Sequence, residues 1–182
     1  SQPRLQYALI ATSGIDTVLI SNTLIGSNSS SAISSPSLVV GSNNRAHIVW
    51  AITDLEILYN LIDPALDDRD GDSGDIANMT LVSYTVADGT GVRDDPDIAI
   101  DSYDGAHVVW VDTYDSQGLY FGTPLIYYTM LTYDSSGNFS VQINNSIITP
   151  ALGFKGNPAI SMGANNTVIV VWEDTRGSLV EN

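Results

Sequence analysis

Five aspartates crowd into the stretch LDDRDGDSGD: Asp67, Asp68, Asp70, Asp72 and Asp75. Closely spaced carboxylates on a glycine-containing loop are oxygen donors for a hard cation, and calcium takes about six to eight such oxygens. The order departs from an EF-hand loop, because Gly71 precedes Asp72 and no Glu closes the stretch. Two readings stay open, a calcium site built on these five residues and a solvated acidic loop that protects sheet edges from aggregation. A second carboxylate group, Asp94, Asp95 and Asp97 in RDDPDI, would complete a coordination shell were the fold to bring the two together.

Other chemistry is thinly supplied. The chain has no Cys, so disulfides and thiolate sites are excluded. A G-x-S-x-G elbow, a phosphate loop and H-E-x-x-H are all missing from the sequence. Glycoside hydrolysis needs a carboxylate pair, or a tyrosine nucleophile with arginines around an acidic sugar. Arg4, Arg45, Arg69, Arg93 and Arg176 are scattered, and Glu occurs only at 56, 173 and 181. The expectation from these residues is that the protein is not an enzyme. Tyr114, Tyr120 and Phe121, in TYDSQGLYFGTP, are candidates for stacking on a sugar ring, or for covering a neighbouring sheet.

The net charge of −15 repels a polyphosphate, so nucleic acid is excluded as a partner. No apolar run of about 18 residues is present, and no membrane span is expected. Asn28, Asn78, Asn138, Asn144 and Asn165 each begin an Asn-x-Ser/Thr sequon in a polar stretch, which makes them candidate glycosylation sites and points to an extracellular or cell-surface address.

These groups must be positioned by elements, and the elements repeat. Trp50, Trp110 and Trp172 are separated by 60 and 62 residues, and Pro36, Pro96 and Pro158 each stand 14 residues before them. The three copies read PSLVVGSNNRAHIVW, PDIAIDSYDGAHVVW and PAISMGANNTVIVVW. Each is an alternating strand, a turn rich in Asn, Asp or Gly, and a second apolar strand, which is the pattern of a β-hairpin. A proline at the head of the first strand is tolerated where no ladder partner needs its N–H. Third and fourth strands follow at 56–62 and 79–86, then at 124–131 and 139–148, while the third hairpin has none after it. Residues 5–12 and 16–25 supply the missing type of strand, with Tyr7, Tyr59 and Tyr127 in one register.

The expected fold is therefore all-β, one domain over 1–182, built from antiparallel four-stranded units. Repeats span 36–88 and 96–149, and a third is split between half-repeats 5–25 and 157–175. The three Trp residues are expected in the core. Asp112 and Asp174, two positions after Trp110 and Trp172, are expected to accept hydrogen bonds from turn N–H groups. His47 and His107 are read as packing residues, since Ile169 holds their place in the third copy.

The pattern of proline, alternating strand, Asn/Asp-Gly turn and Trp-ended strand resembles the blades of sialidase-like β-propellers and related repeats of prokaryotic surface proteins. Only SYDGAHVVW, at 102–110, comes near the Asp-box motif of that superfamily. The resemblance implies a fold rather than an activity. Three units are fewer than propellers usually contain. The expectation is accordingly an extracellular structural module that self-associates by pairing terminal strands into a ring or filament, with calcium and glycans as possible additions. The alternatives are a carbohydrate-binding propeller module and a fragment of a larger surface protein.

Overall fold

A computed structural model describes residues 6–10, 18–24, 33–52, 55–66, 78–89, 91–113, 122–149 and 153–175, the first two segments as backbone only. The fold is all-β and antiparallel. The strands are β1 (Gln6–Ile10), β2 (Val18–Leu24), β3 (Ile33–Val40), β4 (Ala46–Ile52), β5 (Glu56–Ile62), β6 (Thr80–Ala87), β7 (Arg93–Ile100), β8 (Ala106–Asp112), β9 (Leu125–Tyr133), β10 (Phe139–Ile147), β11 (Lys155–Met162) and β12 (Val168–Asp174). Two four-stranded sheets run β3-β4-β5-β6 and β7-β8-β9-β10, and two two-stranded sheets pair β1 with β2 and β11 with β12.

The repeat seen in the sequence is also a repeat of geometry. Register shifts fall at the same place in each hairpin, between Ser34 and Ser37, Asp94 and Asp97, and Gly156 and Ala159. At each of these bulges the residue before proline has positive φ: Ser35 at 49°, Asp95 at 50° and Asn157 at 47°. Each proline thus lies inside a strand rather than at its head, three residues after the strand begins. The bulge removes the ladder position that its absent N–H would leave empty, and the strand is an edge strand in every sheet. The hairpin turns carry positive φ on Asn44, Asp104, Asn165 and Asn166, the residue types that tolerate it.

The core lies between sheets. Val49, Ala51, Ile57, Tyr59 and Leu61 of the first sheet pack with Val108, Trp110, Leu125, Tyr127 and Leu131 of the second. Ala99, Val109 and Ile126, on the opposite face of the second sheet, pack with Ile160, Met162, Val168 and Val170 of the β11–β12 hairpin. Trp50 and Trp110 are buried as expected, the latter stacked on Tyr127 with ring centroids 5.8 Å apart. Trp172 is not in the core. It is 36% exposed, because no third strand lies beside β12 among the described residues.

Two expectations of register and role are corrected. Trp50 stands opposite Leu58, whereas Trp110 stands opposite Tyr127, so Tyr59 corresponds to Tyr128 and not to Tyr127. Asp112 and Asp174 pair with cations across the hairpin rather than serving only turn N–H groups. Arg93 Nε lies 2.8 Å from Asp112 Oδ2, and Lys155 Nζ lies 3.4 Å from Asp174 Oδ1. In the first repeat the same opposed positions are Ile33 and Ile52. One structural position therefore has two solutions, a buried ion pair and an apolar pair.

Candidate functional site

Strands β3, β7 and β11 lie side by side, and their bulges open on one cleft of about 340 Å³. Its lining is Ser35, Pro36 and Ser37, then Asp95, Pro96 and Asp97, then Asn157 and Pro158, equivalent positions of the three repeats with Asp or Asn in the later two. Side-chain hydrogen bonds link these equivalent positions. Ser34 and Ser35 donate to Asp94 Oδ1 at 3.0 and 3.2 Å, and Ser35 also reaches Asp95 Oδ1 at 3.3 Å. Asp97 joins all three repeats: Ser37 Oγ donates to Oδ1 at 2.6 Å, and the N–H of Ile160 donates to Oδ2 at 2.9 Å. The cleft therefore presents carboxylates already held by hydroxyls, an acceptor-rich surface suited to a ligand that brings hydrogen-bond donors, such as a polyol.

A second line of contacts follows the hairpin turns. Ser42 N–H donates to Asp104 Oδ1 at 2.9 Å, and Ser102 N–H donates to Asn166 Oδ1 at the same distance. These are equivalent positions of successive repeats, so one latch recurs along the array. A sequence signal existed for both lines of contacts: serine in one repeat faces Asp or Asn about 60 positions on, yet a reading organised around loops passes over it.

His47 and His107 sit behind these turns, and each places Nδ1 against a tyrosine hydroxyl, Tyr59 at 2.9 Å and Tyr128 at 2.7 Å. His107 Nε2 also lies 3.3 Å from Asp101 Oδ2. Gly41 replaces that aspartate in the first repeat. Burial pushes Asp101 upward, but N–H donors from Gly105 and Tyr103 together with His107 outweigh it and hold the carboxyl below its usual range. Burial is the main reason His47 is lowered from 6.5 to about 4, with Asp104 opposing the shift and Arg45 adding to it. The unfolded chain gains this proton as pH falls through about 6.5, while the folded chain stays neutral until about 4, so stability is full above 6.5 and declines below it. The expected loss is about 2 kcal/mol between pH 7 and pH 5, read as a falling urea midpoint. His47→Gln should flatten that slope.

No family model matches the chain, and no curated protein matches it. One solved structure does, an endo-arabinase from Bacteroides thetaiotaomicron, with 15% sequence identity and a TM-score of 0.51. The likeness covers 91% of this chain and 59% of that one, so this chain spans little more than half of its neighbour's length. At this identity the likeness is one of fold. It nevertheless overturns the expectation that the protein is not an enzyme. That expectation rested on missing motifs and a thin supply of Arg and Glu, and a chain of similar fold is an endo-arabinase.

The sequence-predicted site residues fall into two groups. Asp67, Asp68, Asp70, Asp72 and Asp75 lie outside the described residues, as do Tyr114, Tyr120, Phe121 and Asn28. Asn78, Asn138, Asn144 and Asn165 are exposed, Asn138 and Asn165 at hairpin turns and Asn144 within β10. Asp95 and Asp97 line the cleft and Asp94 lies beside it, each with serines of the preceding repeat as partners. Among the described residues no group of three His, Asp or Glu side chains could hold a metal ion. No described helix is long and apolar enough to cross a membrane.

The other notable surface is the outer edge of β12. Val109 and Trp110 of the second repeat are both 0% exposed, while the equivalent Val171 and Trp172 are 60% and 36% exposed. In the complete sheets the second strand is flanked on both sides; β12 pairs only with β11 among the described residues.

Proposed function

We propose that this chain is an assembly module of an extracellular or cell-surface structure, with its four-stranded sheets arranged as propeller-type blades. The last blade is completed by terminal strands of a neighbouring copy. The observation that carries this reading is the β12 edge, which has no third strand beside it among the described residues: the third hairpin keeps the apolar sequence of a second strand that its two counterparts cover with a third. Backbone groups on such an edge are a template for strand addition, and the exposed Ile169, Val171 and Trp172 give that addition an apolar component. Calcium bound by the Asp67–Asp75 stretch and glycans on the sequons are additions to this reading that the residue types support.

A second reading is favoured by the hydroxyl and carboxylate cleft together with the endo-arabinase fold. In it the chain is a carbohydrate-engaging section of a larger protein, and Asp95, Asp97 and their serine partners meet sugar hydroxyls. One experiment separates the two. Native mass is measured for the full chain and for a chain lacking residues 1–12, with an arabinose polymer offered to both. A multi-copy species that falls to a single chain on truncation is the expected result. A single-chain species that binds or cleaves the polymer, and loses this in Asp97→Asn, would replace the assembly reading by the second.

A further inference from the structure

The partner of the open edge is specified by the registers already observed, given the assembly reading above, on which this step rests. We propose that β12 receives β1 of a second copy, antiparallel, with Tyr7 opposite Val171 and Gln6 opposite Trp172.

In the two complete sheets the third strand meets the second in one fixed way: Val49 stands opposite Tyr59 and Val109 opposite Tyr128. Those tyrosines are the ones whose hydroxyls meet His47 and His107. Val171 is the counterpart of Val49 and Val109, since each stands 13 residues after its proline. The N-terminal stretch Leu5-Gln6-Tyr7 reads like Ile57-Leu58-Tyr59 and Ile126-Tyr127-Tyr128, which puts Tyr7 in the tyrosine position.

The relation of β1 to β2 supports the same placement. Tyr7 pairs with Thr23, as Tyr59 pairs with Tyr84 and Tyr128 with Ser146. The β1–β2 pair therefore already has the layout of a third and fourth strand, with one side of β1 unpaired among the described residues. Ile169 occupies the third repeat's histidine position. Among the described residues β1 pairs only with β2 and β12 only with β11, so each edge has the layout that the other needs, and a second copy supplies it.

The absence of cysteine makes the register directly testable. Two single-cysteine chains are mixed under mild oxidation, Tyr7→Cys with Val171→Cys, and disulfide-linked pairs are read on a non-reducing gel. Leu9→Cys with Ile169→Cys is a second pair in the same register, in case either first variant folds poorly. Tyr7→Cys with Trp172→Cys is offset by one residue, which turns the side chains to opposite faces. The expected result is cross-linking of both in-register pairs, several-fold above the offset pair. Multi-copy mass with equal or stronger linking of the offset pair would overturn the register and leave assembly standing. A single-chain mass with no linking in either register would overturn both, and would point to further repeats of a longer chain as the natural cover for β12.

Discussion

Arg93→Ala is expected to cost about 3–5 kcal/mol of stability, seen as a large drop in the urea midpoint with the slope preserved. Arg93 is 2% exposed and Asp112 is 3% exposed, so truncation leaves a carboxylate in the interior without the guanidinium 2.8 Å away. Arg93 Nη1 also donates to the carbonyls of Leu55 and Gly89 at 3.0 and 3.1 Å, and these acceptors lose their donor as well. The double variant Arg93→Ile with Asp112→Ile should recover a large part of the loss. It copies the Ile33 and Ile52 pair found at the same register of the first repeat, and a matched apolar pair avoids the desolvation of two charges. Recovery will be incomplete, because the two carbonyls stay unserved. A double variant no more stable than Arg93→Ala would show that the ion pair is required by its surroundings in the second repeat.

The Arg93 position also shows what could be read from the sequence. Strand order within each sheet followed from the spacing of Pro and Trp and from period-2 alternation, and β5 falls at 56–62 as expected. The pairing of Arg93 with Asp112 was hidden because it depends on a bulge at Asp95-Pro96, which shifts the ladder by a residue that no alternation pattern shows. The tyrosine register failed for a related reason. LIYYTML contains two adjacent tyrosines facing opposite sides of the sheet, and only the contacts with Trp110 and His107 tell them apart. The candidate cleft was half legible: Asp94, Asp95 and Asp97 stood out as a carboxylate group, but their serine partners lie about 60 residues earlier and look unremarkable alone.

The same long-range contacts explain how sheets with few residues in common behave as an array. Asp97 holds Ser37 on one side and Ile160 on the other, and the turn latch runs from Ser42 to Asp104 and again from Ser102 to Asn166. Each repeat thus fixes the next at both the cleft and the turns, while apolar side chains fill the space between sheets. An array of this type is stabilised by nearest-neighbour interfaces, and its terminal units are the least protected. The third hairpin is such a unit, with one face against the second sheet and its outer edge without a partner strand among the described residues.

Trp110 and Trp172 turn that asymmetry into a measurement. Trp110→Ala removes a fully buried indole between two sheets and its stacking on Tyr127, and the expected cost is about 3–5 kcal/mol. Against a typical total of about 5–15 kcal/mol, that variant should lie near the edge of folding. Trp172→Ala, at the same position of the third repeat, should cost about 1 kcal/mol or less in the dilute single chain, because the side chain is already part-exposed. In an assembled species the second substitution should become expensive, since an added strand would cover the indole as β9 flanks β8. The check is a pair of urea curves at low and high protein concentration. A Trp172→Ala penalty that grows with concentration supports strand addition at β12, and a small penalty at both concentrations means that nothing in solution covers this edge.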